Sequence, residues 1–134
     1  MRYLIALTVL LLTSSSSAHA QGALSCNQSS LIHVVGAVTS TQLIPATTNQ
    51  RVGLCGYTMI ASAMAASLQL TTGTGTNCGT GTANLSPMII LPVGGVLVNR
   101  SDNIAERTPG SNAVCYVSTG QTGTMDAVVY WTYF

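Results

Sequence analysis

Helical periodicity is nearly absent from this chain, and that absence most constrains its fold. After the first twenty residues the apolar segments are short, rich in Val, Ile, Thr and Tyr, and cut by Gly, Pro, Asn and Thr. Such runs read as strands bounded by turns. They fall at residues 31–35, 41–44, 52–62, 65–71, 87–91, 96–98, 103–107, 113–118 and 125–134. Turn chemistry separates them at 47–50, 72–82, 94–95, 108–111 and 119–123. The alanine-rich stretch around residues 61–66 is the one helix candidate. Its flanks argue for two strands joined by a bend or bulge, because Ser67-Leu-Gln-Leu-Thr alternates with period two. With no helices to make crossovers, a parallel α/β sheet is excluded. The expected fold is an all-β, antiparallel, jelly-roll-like β-sandwich of eight or nine short strands.

Residues 1–20 have another pattern: Arg2, an apolar run over residues 4–13, and Ala18-His19-Ala20 as a small-x-small cleavage site. This is the layout of a secretory signal peptide. The apolar run is too short for a bilayer-spanning helix, which needs about 20 apolar residues. The expected domain is therefore residues 21–134, exported and either extracellular or periplasmic, with no transmembrane segment in the mature protein. All four cysteines, Cys26, Cys55, Cys78 and Cys115, lie in that part. An even set in an exported chain implies two disulfides, drawn from three connectivities. Cys26–Cys55 with Cys78–Cys115 would tie the N-terminal segment to a strand and pin the Gly/Thr-rich stretch. Cys55–Cys115 with Cys26–Cys78 is the alternative. Metal binding is disfavoured, since no C-x-x-C pair occurs and His33 is the only histidine after residue 20.

Charge is scarce. Only 5% of residues are charged and there is no lysine, against about a quarter in an ordinary domain. After residue 20, Arg51, Arg100 and Arg107 balance Asp102, Glu106 and Asp126. Nucleic acid is excluded as a partner, because no basic patch exists to release counterions. Low net charge also removes colloidal repulsion and favours association.

Catalytic material is equally sparse. His33 is the only candidate base, no Gly-x-Ser-x-Gly elbow occurs, and Arg100, Asp102, Glu106 and Arg107 read as a solvated, self-neutralised loop and strand face. Asp102 and Glu106 would stand about 13 Å apart on one strand, too far for a glycosidase pair. No cofactor motif is present. The aromatics Tyr57, Tyr116, Tyr130, Trp131 and Tyr133 offer a glycan-stacking surface, a core or an interface. The last strand is apolar on both faces, with Val128, Tyr130, Thr132 and Phe134 on one and Val129, Trp131 and Tyr133 on the other. A strand of that kind is buried on both sides, within the sandwich or against a partner. Residues 26–38 were a second candidate for assembly, as a donated N-terminal arm. An outer-membrane barrel is disfavoured by strands shorter than the 9–11 residues it needs. Asn27, Asn84 and Asn99 head N-x-Ser triplets.

Cys55-Gly-Tyr57, Gly73-Thr-Gly-Thr-Asn-Cys78-Gly-Thr-Gly81, Asn112-Ala-Val-Cys115 and the aromatic ending Val128-Val-Tyr-Trp-Thr-Tyr-Phe134 occur in that order. In this the chain resembles small β-sandwich proteins with four cysteines encoded in environmental phage and bacterial genomes, a group without an assigned activity. The resemblance spans residues 26–134. It implies a sandwich and an extracellular or virion-surface setting, and supplies no catalytic residues. The sequence thus points to a non-catalytic extracellular structural or interaction protein. The expectation is a self-associating cell-surface, fibre or virion-surface subunit forming a homo-oligomer, with a glycan-binding, lectin-like module as the alternative. Trp131, Tyr133, Tyr130 and Tyr57 are its candidate interface or glycan contacts. Amino-terminal sequencing of exported material is expected to read Gln-Gly-Ala-Leu, or to be blocked by cyclised Gln21; an intact Met1 would refute cleavage.

Overall fold

A computed structural model describes residues 25–134 apart from positions 63, 102 and 120–122. The expected signal peptide, and Asp102, lie outside the described residues. Ten strands form two antiparallel sheets. They are β1 (Gln28–Val35), β2 (Val38–Ile44), β3 (Val52–Ala61), β4 (Ala66–Thr74), β5 (Thr80–Asn84), β6 (Ile89–Leu91), β7 (Val96–Arg100), β8 (Glu106–Arg107), β9 (Ala113–Ser118) and β10 (Thr124–Tyr133).

The first sheet has the order β1-β10-β3-β7, with β8 also on β3. The second has the order β2-β9-β4-β5, with β6 also on β4. β5 and β6 share one partner, as do β7 and β8, so each pair is a single ladder position interrupted by a loop. Counted that way there are eight strands. The first pairs the last, the second the seventh, the third the sixth and the fourth the fifth. This is a long hairpin rolled into two facing sheets, the jelly-roll arrangement. The expected fold class is what the chain adopts.

The core lies between the sheets. Ile32 and Val34 of β1, Met59 and Ala61 of β3, and Met125, Ala127 and Val129 of β10 face Ile44, Leu68, Leu70 and Val114 of the other sheet. Alternate residues of each strand point inward, as the period-two pattern requires.

Two expectations are corrected, and the reading of residues 61–66 as two strands joined by a bend holds. Residues 72–82 are not one loop: β4 runs to Thr74, a 3-10 turn covers Thr76–Cys78, and β5 follows, which brings the number of strands to ten. Thr is a good strand former, and alternating Gly leaves it room to pair, so Thr72 stands opposite Ala83. No helix forms among the described residues of 61–66. Ala61 ends β3, Met64 sits in a bend and Ala66 starts β4. Finally, the N-terminal segment is no donated arm. Gln28–Val35 pairs with β10 of its own chain, and Cys26 is bonded to Cys55 of β3.

Both disulfides follow the first of the two connectivities, Cys26–Cys55 and Cys78–Cys115. The second folds the 3-10 turn back over the outer face of the second sheet, where Cys78, Ala113 and Cys115 make a small buried cluster. Asn77, at φ 50°, completes that fold-back. Its carbonyl accepts from Ser40 Oγ at 2.6 Å and its side-chain Oδ1 from the Gln42 amide at 3.2 Å, covering part of the β2 edge.

β3 carries a bulge. Tyr130 is opposite Gly56 and Trp131 is opposite Leu54, leaving Cys55 without a partner residue on β10. Gly56 has φ 145°, and a Cβ there would stand 2.0 Å from the Asn99 carbonyl oxygen. Neither the conformation nor the space admits a side chain. Gly56→Ala is expected to destabilise the fold by more than about 4 kcal/mol, read as a lowered midpoint in guanidinium unfolding; a change under about 1 kcal/mol would contradict this packing.

Candidate functional site

The cross-strand register gathers the exposed apolar residues on one surface, the outer face of the first sheet. Leu31 lies beside Val128, Val128 beside Thr58, and Thr58 beside Val98. The next row is His33, Asp126, Ile60 and Val96, and beyond it Val35 lies beside Thr124. Directly opposed residues in a ladder project from the same face. Leu31, Val35, Val96 and Val98 are each more than 60% exposed. These four and Ile60 are five of the eight large exposed hydrophobics among the described residues.

One polar pair interrupts this face. His33 Nδ1 meets Asp126 Oδ1 at 2.6 Å, with both side chains more than half exposed. The contact gives the Asp126 carboxylate a hydrogen-bonding partner among aliphatic neighbours. An exposed pair of this kind contributes only about 0–1 kcal/mol to stability. It also resembles two thirds of a Ser–His–Asp constellation. Among the described residues, however, no hydroxyl is hydrogen-bonded to His33, and the pair stands on an open sheet face instead of in a cleft. The sequence placed His33 and Asp126 on separate strands without joining them; only the β1–β10 register sets them side by side.

The opposite outer face is different. On the second sheet Ser67, Gln69 and Thr71 point outward beside Val117 and Cys115, and the disulfide-bonded 3-10 turn covers part of them. Ser67 Oγ donates to the Thr119 carbonyl at 2.7 Å and Gln69 Nε2 to the Ser86 carbonyl at 3.1 Å, whereas the buried Thr71 hydroxyl has no hydrogen-bond partner among the described residues.

The candidate aromatics separate. Trp131 is in the core, 8% exposed, its Nε1 donating to Ser30 Oγ at 2.9 Å. It is not available for stacking on a glycan. Tyr133 packs edge-on against Trp131 at 5.0 Å and donates its hydroxyl to the Pro45 carbonyl. Tyr116 is half-buried against the core. Tyr130 lies on the outer face of the first sheet under the Arg100 guanidinium, 4.3 Å from the ring centroid. Arg107 covers Phe134 in the same way, at 5.4 Å. Tyr57 lines a cavity between the sheets. Asn27, Asn84 and Asn99 are all exposed.

No group of three or more His, Cys, Asp or Glu side chains able to hold a metal occurs among the described residues. Among them too, no helix is long and apolar enough to cross a membrane. The two disulfides fit an oxidising compartment.

Because Trp131 is buried, Trp131→Ala should act on the fold, at a cost of about 3–5 kcal/mol. As the chain has one tryptophan, native fluorescence should be blue-shifted and poorly quenched by acrylamide. Ready quenching in the native state would overturn the core placement. Comparison with protein-family models, curated proteins and solved structures returned no match for this chain.

Proposed function

We propose that this protein is a non-catalytic extracellular structural subunit that associates with copies of itself through the outer face of the first sheet. The observation that carries the proposal is the collection of Leu31, Val35, Ile60, Val96 and Val98 on that one face, with Val128 among them. Such a contiguous apolar surface on a folded domain marks an interaction site.

Its occupant follows from charge. The only ionisable groups in the two central rows are His33 and Asp126, already paired with each other. A flat, largely apolar face whose one polar pair is already hydrogen-bonded suits a second copy of itself, whereas a strongly charged partner would find little to pair with. The nearly uncharged chain adds no long-range repulsion.

Size sets the strength. Four strands at about 4.8 Å spacing and about six residues at 3.3 Å span on the order of 400 Å². Two such faces bury about 800 Å² together, the class of weak contacts, below the 1,200–2,000 Å² of a stable complex. A single contact is therefore reversible, and the assembly gains strength when subunits are concentrated on a surface or in a lattice. This fits a cell-surface, fibre or virion-surface role better than a free dimer in dilute solution.

Sedimentation of the purified protein is expected to show a concentration-dependent rise in mass in the micromolar to millimolar range. Leu31→Lys with Val98→Lys should leave the fold intact, since both side chains are solvent-exposed, and hold the protein monomeric. A wild-type chain that stays monomeric at about 1 mM, or a double variant that assembles as before, would defeat the proposal.

A further inference from the structure

Both interrupted ladder positions open at the same place. The ladder on β3 is interrupted between Arg100 and Glu106, and the ladder on β4 between Asn84 and Ile89. These are the two edge positions on one side of the sandwich. The breaks cost few backbone hydrogen bonds. Ser101 and Ala105 still donate to the Cys55 and Leu54 carbonyls, and Leu85 and Ser86 both donate to the Leu70 carbonyl. What they do remove is side-chain cover over the inter-sheet core. A cavity of about 220 Å³ results, floored by Leu54, Leu70 and Leu85 and rimmed by Tyr57, Asn99 and Glu106.

We propose that this cavity is a binding site for a single neutral sugar ring, a site distinct from the self-association face and independent of it. Three features select that ligand. The volume is below the 300–1,000 Å³ of a drug-sized site, so it admits one ring and not an extended ligand. The aliphatic floor suits the C–H face of a pyranose. The rim then supplies both kinds of hydrogen-bonding group.

The Asn99 Nδ2 donates to the Tyr57 hydroxyl oxygen at 3.4 Å, which leaves the Tyr57 O–H as a donor and the Asn99 Oδ1 as an acceptor. Glu106 is exposed and makes no ion pair among the described residues. Its carboxylate accepts hydrogen bonds from two hydroxyls, and charge-assisted bonds are the stronger kind. A hydroxyl both donates and accepts, so it satisfies the whole rim. An ammonium or guanidinium offers only donors and would leave the Tyr57 O–H unmatched. An anion would be repelled by Glu106.

The test is saturation-transfer NMR with a panel of methyl α-glucoside, α-galactoside, α-mannoside and N-acetylglucosamine. The expected result is transfer to at least one sugar with a dissociation constant on the order of millimolar, as suits one small ring. Glu106→Ala should weaken it by about tenfold or more. Ala105→Trp, which puts an indole at the mouth of the cavity, should abolish it. Glu106 and Ala105 are both exposed, so thermal melts of the variants should match the parent. No transfer to any sugar of the panel at about 20 mM would overturn the proposal. So would transfer that survives Ala105→Trp, which places the site elsewhere. Binding of N-acetyl-lysine amide at this cavity in preference to the sugars would overturn the ligand class. None of these outcomes touches the sedimentation result, which reads a different surface.

Discussion

At Gly56 the backbone of β3 comes so close to β7 that nothing larger than a hydrogen fits between them. Much of the first sheet is arranged around that approach. Cys55, pushed out of register with β10, is turned to bond Cys26, so the same irregularity anchors the start of β1. Trp131, just past the shift on β10, faces Leu54 and enters the core. Tyr130, just before it, remains on the outer face under Arg100. One glycine and one extra residue thus shift the alternation of β3, so that Val52 and Leu54 enter the core along with Met59. They also begin the stretch of β3 that β7 and β8 leave open between them.

The disulfides complement this arrangement. A chain with 5% charged residues gains little from ion pairs; apolar burial and covalent links must offset the entropy of ordering a glycine-rich hairpin. Cys78–Cys115 acts where that cost is highest, holding Asn77 and Cys78 at φ 50° and 56° over the second sheet. The same link covers one outer face of the sandwich. The other outer face keeps its aliphatic residues uncovered, and the two sides of the molecule differ in kind for that reason.

The fold was legible because each strand segment is short, β-branched and bounded by turn residues, and nine of the ten strands overlap runs visible in the sequence. β5 was not, because Thr-Gly-Thr has the composition of a loop and becomes a strand only when β4 offers it a ladder. The faces of β10 were beyond pattern reading. Both rows of side chains are apolar, so alternation alone does not say which is buried; the packing of the two sheets puts Met125, Ala127, Val129 and Trp131 inside. Likewise, the pairing of His33 with Asp126 spans 93 positions and depends on register, which no local signal carries. The cavity draws on Tyr57, Leu70, Ser86, Asn99 and Glu106, from ladders in both sheets, and each residue has an ordinary strand or loop setting when read alone.

Edges tie these features together. An unbroken edge strand invites pairing with another chain, and natural sheets shorten, cover or distort such strands. Here one side of the sandwich has edge positions split into β5/β6 and β7/β8, which shortens every exposed ladder there. Asn77 covers part of β2 on the other side. Strand addition is thereby hindered at β5/β6, at β7/β8 and along part of β2. The same splitting that blunts the edge uncovers Leu54 and Leu70 between Tyr57 and Glu106. Because the cavity opens at the edge and the apolar rows lie on the face, a subunit packed face to face keeps its cavity open to solvent. An assembly of this kind would present one sugar-sized site per subunit, and repeated weak sites on a common surface bind far more tightly than one alone.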